Sequence, residues 1–336
     1  MSQTNYDLAR GREMLECMER IRAFELTAKR AAVDEQLVLG AIHLSVGQEA
    51  IPAGLMRHLR TDDLLLSTHR GHGHTLAKGA PAEAMMKELL GREGGSCGGK
   101  GGSMHIADFG VGMLGANGVV AANITIGAGA AHGIKLLDKI RGDDRICVDV
   151  FGDGAINRGP FLEGLNWAGV FDLPVLFVCE DNRYSATTKT SDMTAGDGAA
   201  ARARSFGIVT HEVDGNDAEA VTDLTAQIVA RIRETRRPEF LHAKTYRLDG
   251  HTYFDPAAYR PAGEAEAEAQ RSDPIMRQRS VLAAAGMSQD ELTAIHDAAQ
   301  AEMAAALDEA RSAPWPDDAT VFDDVQDLGS PAREAF

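Results

Sequence analysis

Arg145-Ile146-Cys147-Val148-Asp149-Val150-Phe151-Gly152-Asp153-Gly154-Ala155 reads as an apolar β-strand that ends on a glycine turn. Residues 160–170 then read as a helix. Pro174 opens a second strand, Val175 to Cys179, which runs out into Glu180-Asp181-Asn182-Arg183-Tyr184. A strand, a helix and a strand in this order imply parallel pairing, and ligands of parallel sheets gather at the carboxyl ends of the strands. Glycines there let a phosphate approach the backbone, and the helix N-terminus that follows offers free N–H groups. Asp153 would repel a bare phosphate. It fits if a divalent cation lies between the carboxylate and a diphosphate, and magnesium takes six oxygen ligands. On the adjacent strand end, Asn182 can supply a side-chain oxygen and Tyr184 a backbone one. Gly-Asp-Gly alone is an ordinary turn. Asn182, 30 residues after Gly152 and separated from it by a helix and a strand, makes the pair far more specific.

Further strands are expected at Gly207 to Val213 and Phe240 to Thr245. Between them Val221, Leu224, Ile228 and Ile232 mark one face of an amphipathic helix, and Asn216 with Glu219 three residues later reads as its N-cap. The fold class is therefore α/β, a mainly parallel sheet with helices on both faces. Residues 8–60 read as helical, with Leu15, Met18, Ile21 and Phe24 at helical spacing. The stretch 91–118 is Gly-rich and polar, and a long loop inside a compact chain is functional or ordered by a partner. Residues 119–137 read as a helix whose Gly127, Gly129 and Gly133 suit close packing against another subunit. A polar Glu/Ala stretch follows Pro261, then a helix around 289–311 and an acidic tail. The expected layout is an N-terminal helical segment (1–60), an α/β core (61–260) and a C-terminal helical segment with the tail (261–336), forming one structural domain.

The bulk numbers narrow the function. The 336 residues carry 34 Lys and Arg against 50 Asp and Glu, a formal charge of −16, so neither nucleic acid nor an anionic membrane is an expected partner. No apolar run reaches the length of a membrane span, and the N-terminal residues show no secretion signal. Cys17, Cys97, Cys147 and Cys179 form no CxxC pair. Cys147 and Cys179 lie in apolar runs and read as reduced core residues, so a cytoplasmic protein is expected.

The Gly152–Asn182 segment resembles the thiamine diphosphate motif, which begins Gly-Asp-Gly and ends in Asn. From about Met14 to Val325 the chain resembles the α subunit of the dehydrogenase component of 2-oxo-acid and acetoin dehydrogenase complexes. The blocks that carry this are His43-Leu44-Ser45-Val46-Gly47-Gln48-Glu49-Ala50, His69-Arg70-Gly71-His72-Gly73-His74, Gly101-Gly102-Ser103-Met104-His105, Leu114-Gly115-Ala116-Asn117-Gly118-Val119-Val120, and Tyr246-Arg247 with Gly250-His251. The resemblance implies a thiamine diphosphate-binding fold and roles for several residues. Arg70 would grip the diphosphate, and His69 beside it would also bind the cofactor; it stands where the family has Tyr, a departure that touches one phosphate hydrogen bond. Gly152, Asp153, Gly154, Ala155 and Asn182 would hold the diphosphate, with Asp153, Asn182 and Tyr184 on a magnesium ion. Gly118 would accept from the aminopyrimidine through its carbonyl, and Val120 would keep the cofactor bent. His251 would lie near the reactive thiazolium carbon, and His43 near the substrate.

In this family the glutamate that activates the cofactor comes from a separate β chain, and no residue here matches it in context. The resemblance therefore implies an α2β2 assembly. Its reaction is on a 2-oxo acid or an acetoin-like hydroxyketone, with the acyl fragment passed to a lipoyl acyltransferase. Two alternatives share these residues: a thiamine-dependent lyase or carboligase without a lipoyl partner, and a non-catalytic paralogue. Retention of Asp153, Asn182, Arg70 and His251 speaks against the second. A dinucleotide-binding oxidoreductase is discounted because no Gly-x-Gly-x-x-Gly follows an early strand.

Overall fold

The computed structural model describes residues 6–38, 40–321 and 323. The chain opens with α1 (Leu8–Val33) and α2 (Ala50–Met56), followed by β1 (Leu64–Thr68), α3 (His72–Ala77) and α4 (Ala82–Leu89). Next come β2 (Met113–Asn117), α5 (Ala122–Arg141), β3 (Cys147–Gly152), α6 (Gly159–Val170) and β4 (Val175–Asp181). A small hairpin, β5 (Tyr184–Ser185) and β6 (Thr188–Lys189), leads to α7 (Gly198–Arg204), β7 (Val209–Asp214), α8 (Ala218–Thr235) and β8 (Glu239–Lys244). The helices α9 (Glu264–Ser272), α10 (Pro274–Ala284) and α11 (Gln289–Ser312) complete the described chain.

Six strands form one sheet in the order β2-β1-β3-β4-β8-β7, and every neighbouring pair is parallel. Alternation along β3 and β4 builds a core on each face. On one face Phe151, Phe161, Phe177 and Phe240 pack with Ile124 and Ala128 of α5. On the other, Val148, Val150, Leu176 and Val178 meet Ile51 and Leu55 of α2 and Ile228 and Ile232 of α8. This is the α/β fold expected. Parallel register aligns the carboxyl ends, with Thr68 opposite Asn117 and Gly152 opposite Glu180. The turn after β3 and the run-out of β4 are thereby neighbours.

Several expectations need correction. Residues 8–60 are not one helical segment. The chain leaves α1 at Val33 and stays irregular until Ala50, turning at Gly40 (φ 90°) and Gly47 (φ 93°). At Gly47 a side chain would collide with the Tyr246 carbonyl and Leu248, so this loop is pressed against the segment that follows β8. The helix α8 is capped by Asp217, which accepts from the Ala220 N–H at 3.0 Å, not by Asn216. Asn216 instead donates to the Ser272 carbonyl and accepts from the Thr245 hydroxyl. β1 and β2 were not anticipated, and β2 lies inside the stretch read as a Gly-rich loop. From residue 324 on, the acidic tail lies outside the described residues.

The remainder of the Gly-rich loop is organised by its own chain. The fully buried Glu88 carboxylate accepts from the N–H groups of Cys97 (2.7 Å), Gly99 (2.8 Å), Gly101 (2.7 Å) and Gly102 (3.0 Å). Glycines suit this wrap because at Gly99 and Gly101 a Cβ would strike backbone atoms. The four cysteines are free thiols, and burial pushes the Cys147 and Cys179 thiols well up. Among the described residues no helix is long and apolar enough to cross a membrane.

Candidate active site

A cleft of about 190 Å³ opens at the carboxyl edge of β1, β2, β3 and β4. Every residue singled out in the sequence lines it: His43, His69, Arg70, Gly118, Val120, Gly152, Asp153, Gly154, Ala155, Asn182, Tyr184 and His251. Arg70 follows β1 closely, Gly118 and Val120 follow β2, Gly152 ends β3 with Asp153–Ala155 just beyond it, and Asn182 follows the last residue of β4. His43 arrives on the loop before α2, and His251 on the loop after β8.

Backbone strain collects here. Ala121 (φ 73°), Arg183 (φ 71°) and Ala186 (φ 49°) are non-glycine residues in the left-handed region, each costing on the order of 1 kcal/mol or more. They turn the chain sharply around the cleft wall. At Gly154 a side chain would run into Ser185 of the hairpin, whereas at Gly152 it would meet no protein atom.

Asn182 is buried and oriented by Gln48. Its Nδ2 donates to Gln48 Oε1 at 2.9 Å, and its Oδ1 accepts the Tyr184 N–H at 3.2 Å. Asp153 is only 3% exposed, and its carboxylate accepts from the Thr190 hydroxyl. Burial, followed by the Asp181 charge, raises its pKa, and no described cationic side chain pairs with it. Arg70 shows the opposite imbalance. Its guanidinium donates to the Leu44 carbonyl (2.6 Å) and to the His251 carbonyl (2.8 Å), and contacts His251 Nδ1 at 3.1 Å. Arg247 donates to the Ala186 carbonyl and the Tyr259 hydroxyl, at 2.9 and 2.8 Å. Among the described residues neither guanidinium meets a carboxylate. Burial, then Arg247, lowers Arg70 to about 9. Burial, then Arg70, holds the imidazoles of His43, His69 and His251 down at about 3, 2 and 4. All three rings are neutral at physiological pH. Their centroids lie 4.5 Å (His43–His69), 4.8 Å (His43–His251) and 5.7 Å (His69–His251) apart.

His72 and His74 serve the scaffold. His72 bridges Glu25 and Ser103, both at 2.9 Å, and His74 Nδ1 meets Ser67 Oγ at 3.0 Å. Sequence reasoning gave no role to Gln48, Glu180, Arg247, Ser185 or Thr190. Gln48, Glu180 and Arg247 stood within quoted stretches and could have been flagged. Ser185 and Thr190 sit on or beside two-residue strands, which leave no periodic signal.

Fold and cleft define a class: an α/β protein whose parallel sheet carries a polyanion-seeking cleft at its carboxyl edge, with one buried carboxyl lacking a cationic partner. Comparison with known proteins narrows this. The dehydrogenase E1 component family model matches residues 16–318. The chain is 42% identical to the α subunit of acetoin:2,6-dichlorophenolindophenol oxidoreductase from Cupriavidus necator, over 92% of this chain and 91% of that one. It is 37% identical to the Bacillus subtilis protein of the same name, over 93% and 92%. It is 36% identical to the pyruvate dehydrogenase E1 component subunit alpha of Rhizobium meliloti, over 95% and 89%. The chain belongs to the dehydrogenase E1 component family, as an α subunit of its thiamine diphosphate-dependent oxidoreductases.

Proposed function

We propose that this chain is the diphosphate-holding half of a dehydrogenase that cleaves an acetoin-like 2-hydroxyketone or a 2-oxo acid. One observation carries the reading. Among the described residues, two buried guanidiniums make no ion pair with a carboxylate and stand in the same cleft as the buried Asp153 carboxyl, which makes none with a cation and feels Arg247 only at longer range. A diphosphate bridged to a divalent cation satisfies both. Arg70 and the backbone of Gly152, Gly154 and Ala155 would hold the phosphate oxygens. Asp153, Asn182 and the Tyr184 carbonyl would hold the ion, taken as magnesium because every donor is a hard oxygen. Gly118 would accept from the aminopyrimidine, and Val120 would support the bend between the rings.

Thiamine diphosphate supplies a carbon acid that adds to a carbonyl and retains the electrons of the bond that breaks. The chain contributes binding, orientation and proton handling. His251 and His43, both neutral, can hold or give protons beside the reacting atoms. A β subunit would complete the site in an α2β2 assembly, and a lipoyl acyltransferase would take the acyl fragment. Four free thiols, two of them buried, fit a reducing cytoplasm.

The test is co-production with the β chain, addition of thiamine diphosphate and magnesium, and a dye-reduction assay with hydroxyketones and 2-oxo acids. Turnover that needs both chains is expected. Full turnover by this chain alone, or none on any carbonyl substrate, would overturn the proposal.

A further inference from the structure

We infer that Glu25, which does not line the cleft, is a positioning residue for the reaction: its buried carboxylate ties the His43 loop to the Gly-rich loop and so sets two parts of the cleft wall. This inference rests on the cofactor reading above and deepens it.

Glu25 lies on α1, and it and His72 are both 0% exposed. Its Oε1 accepts twice from Ser45, from the backbone N–H at 3.1 Å and from the hydroxyl at 2.7 Å. Its Oε2 meets His72 Nδ1 at 2.9 Å. A carboxylate only accepts, so that nitrogen carries a proton. The other ring nitrogen, His72 Nε2, lies 2.9 Å from Ser103 Oγ. Burial opposes the charge on Glu25, but His72 and then Ser45 more than offset it and hold the carboxyl below its ordinary range. The result is one continuous interior chain, Ser45–Glu25–His72–Ser103.

Each end of this chain carries a cleft residue. Ser45 stands two residues beyond His43, and the carbonyl of the intervening Leu44 accepts from Arg70. Carbonyls of the same loop hold the segment that bears His251. Ile42 accepts from the Tyr253 N–H and Val46 from the Leu248 N–H, both at 3.0 Å. A pull on Ser45 therefore moves His43 relative to His251, whose ring centroid lies 4.8 Å from its own. At the other end Ser103 directly precedes Met104, which lines the cleft. Glu88 holds the Gly-rich loop from Cys97 to Gly102, and the Ser103–His72 bond is the next tie along the chain. Neither His43 nor Met104 belongs to a helix or strand. Their places depend on bonds from outside their loops, and Glu25 is where those bonds converge.

The experiment uses the full chain in complex with its β partner, saturating thiamine diphosphate and magnesium, and a dye acceptor. Acetoin and pyruvate turnover are measured in wild type, Glu25→Gln, His43→Ala and the double variant. Glutamine keeps the shape but offers one oxygen where three donors converge, so a loop must shift. Glu25→Gln should lower kcat about tenfold to a hundredfold, the cost of misplacing a reacting group by up to about 1 Å. KM should change by less than about threefold, because ground-state binding is not what is lost. In the His43→Ala background the same change should cost less than about threefold, since only the Met104 arm remains. A Glu25→Gln complex that is less stable but has unchanged kcat would overturn the inference. So would a loss of equal size with and without His43. Ser45→Ala removes one donor and leaves the buried carboxylate in place. It carries the same cycle if Glu25→Gln does not fold, and unchanged kcat in it overturns the inference. Wild type without turnover on either substrate would overturn the dehydrogenase reading and this inference together, whereas an active wild type with an unaffected Glu25→Gln overturns the inference alone.

Discussion

Arg70 lies two residues beyond β1 and ties separate loops together with one guanidinium. It reaches the carbonyls of Leu44 and His251 and the His251 ring, while remaining 3% exposed. A planar fork can hold these partners and still offer N–H groups to a phosphate; an ammonium at the end of a flexible stem cannot. Arg70→Lys should therefore weaken thiamine diphosphate binding about tenfold to a hundredfold, or roughly 1.4–3 kcal/mol. Calorimetric titration checks this, and unchanged affinity would show that Arg70 only braces the loops. At this scale much of the site was legible. Asp153 and Asn182 could be placed because a strand, a helix and a strand fix where both ends emerge. Gln48, Ser185 and Thr190 act through tertiary contacts with those residues, across loops whose closure no local pattern encodes.

Among the elements, the Gly-rich loop departs furthest from its composition. Composition alone suggests a linker, yet one buried carboxylate collects four of its N–H groups, and Met104 and Ser103 are thereby set against the cleft and His72. Glu88→Gln keeps the shape but presents an NH2 to donors, leaving about two N–H groups unsatisfied at roughly 1–3 kcal/mol each. A loss of about 3 kcal/mol in stability is expected, together with new protease cleavage between residues 95 and 105. A variant as stable and as resistant as wild type would refute this. The signal was hidden because Glu88 lies on α4, where a glutamate at helical spacing reads as a solvated charge. β1 and β2 were missed for related reasons. Leu64-Leu65-Leu66 fits a helix as well as a strand, and β2 contains Gly115 and Asn117, both poor strand formers. Pairing in the parallel sheet overrides that local weakness.

For the whole molecule, α5 states what the chain lacks alone. Its inner face, Ile124, Ala128, Ala131 and Ile134, is buried against the sheet. Its outer face leaves Ile126 49%, Leu136 51% and Ile140 78% exposed. Among the described residues a Cβ at Gly129 or Gly133 would meet no atom outside its own helix, so these glycines weaken the helix by about 1 kcal/mol each with no packing gain there. Close approach by another subunit explains them. Gly129→Leu should leave the chain folded and at least as stable, yet abolish co-purification of the β chain. An intact complex in size-exclusion chromatography would contradict that. A partner's requirement could be read from the glycine pattern of the sequence; its identity could not, because the complementary surface belongs to another chain.

The proposed binding mode is a diphosphate held in this cleft through a divalent cation on Asp153. Calorimetric titration of thiamine diphosphate into the full chain with its β partner, with and without magnesium, tests it most directly in wild type and Asp153→Ala. Tight binding only in the presence of magnesium, weakened about a hundredfold or more in the variant, is the predicted result. Full affinity in Asp153→Ala, or binding indifferent to magnesium, would contradict it.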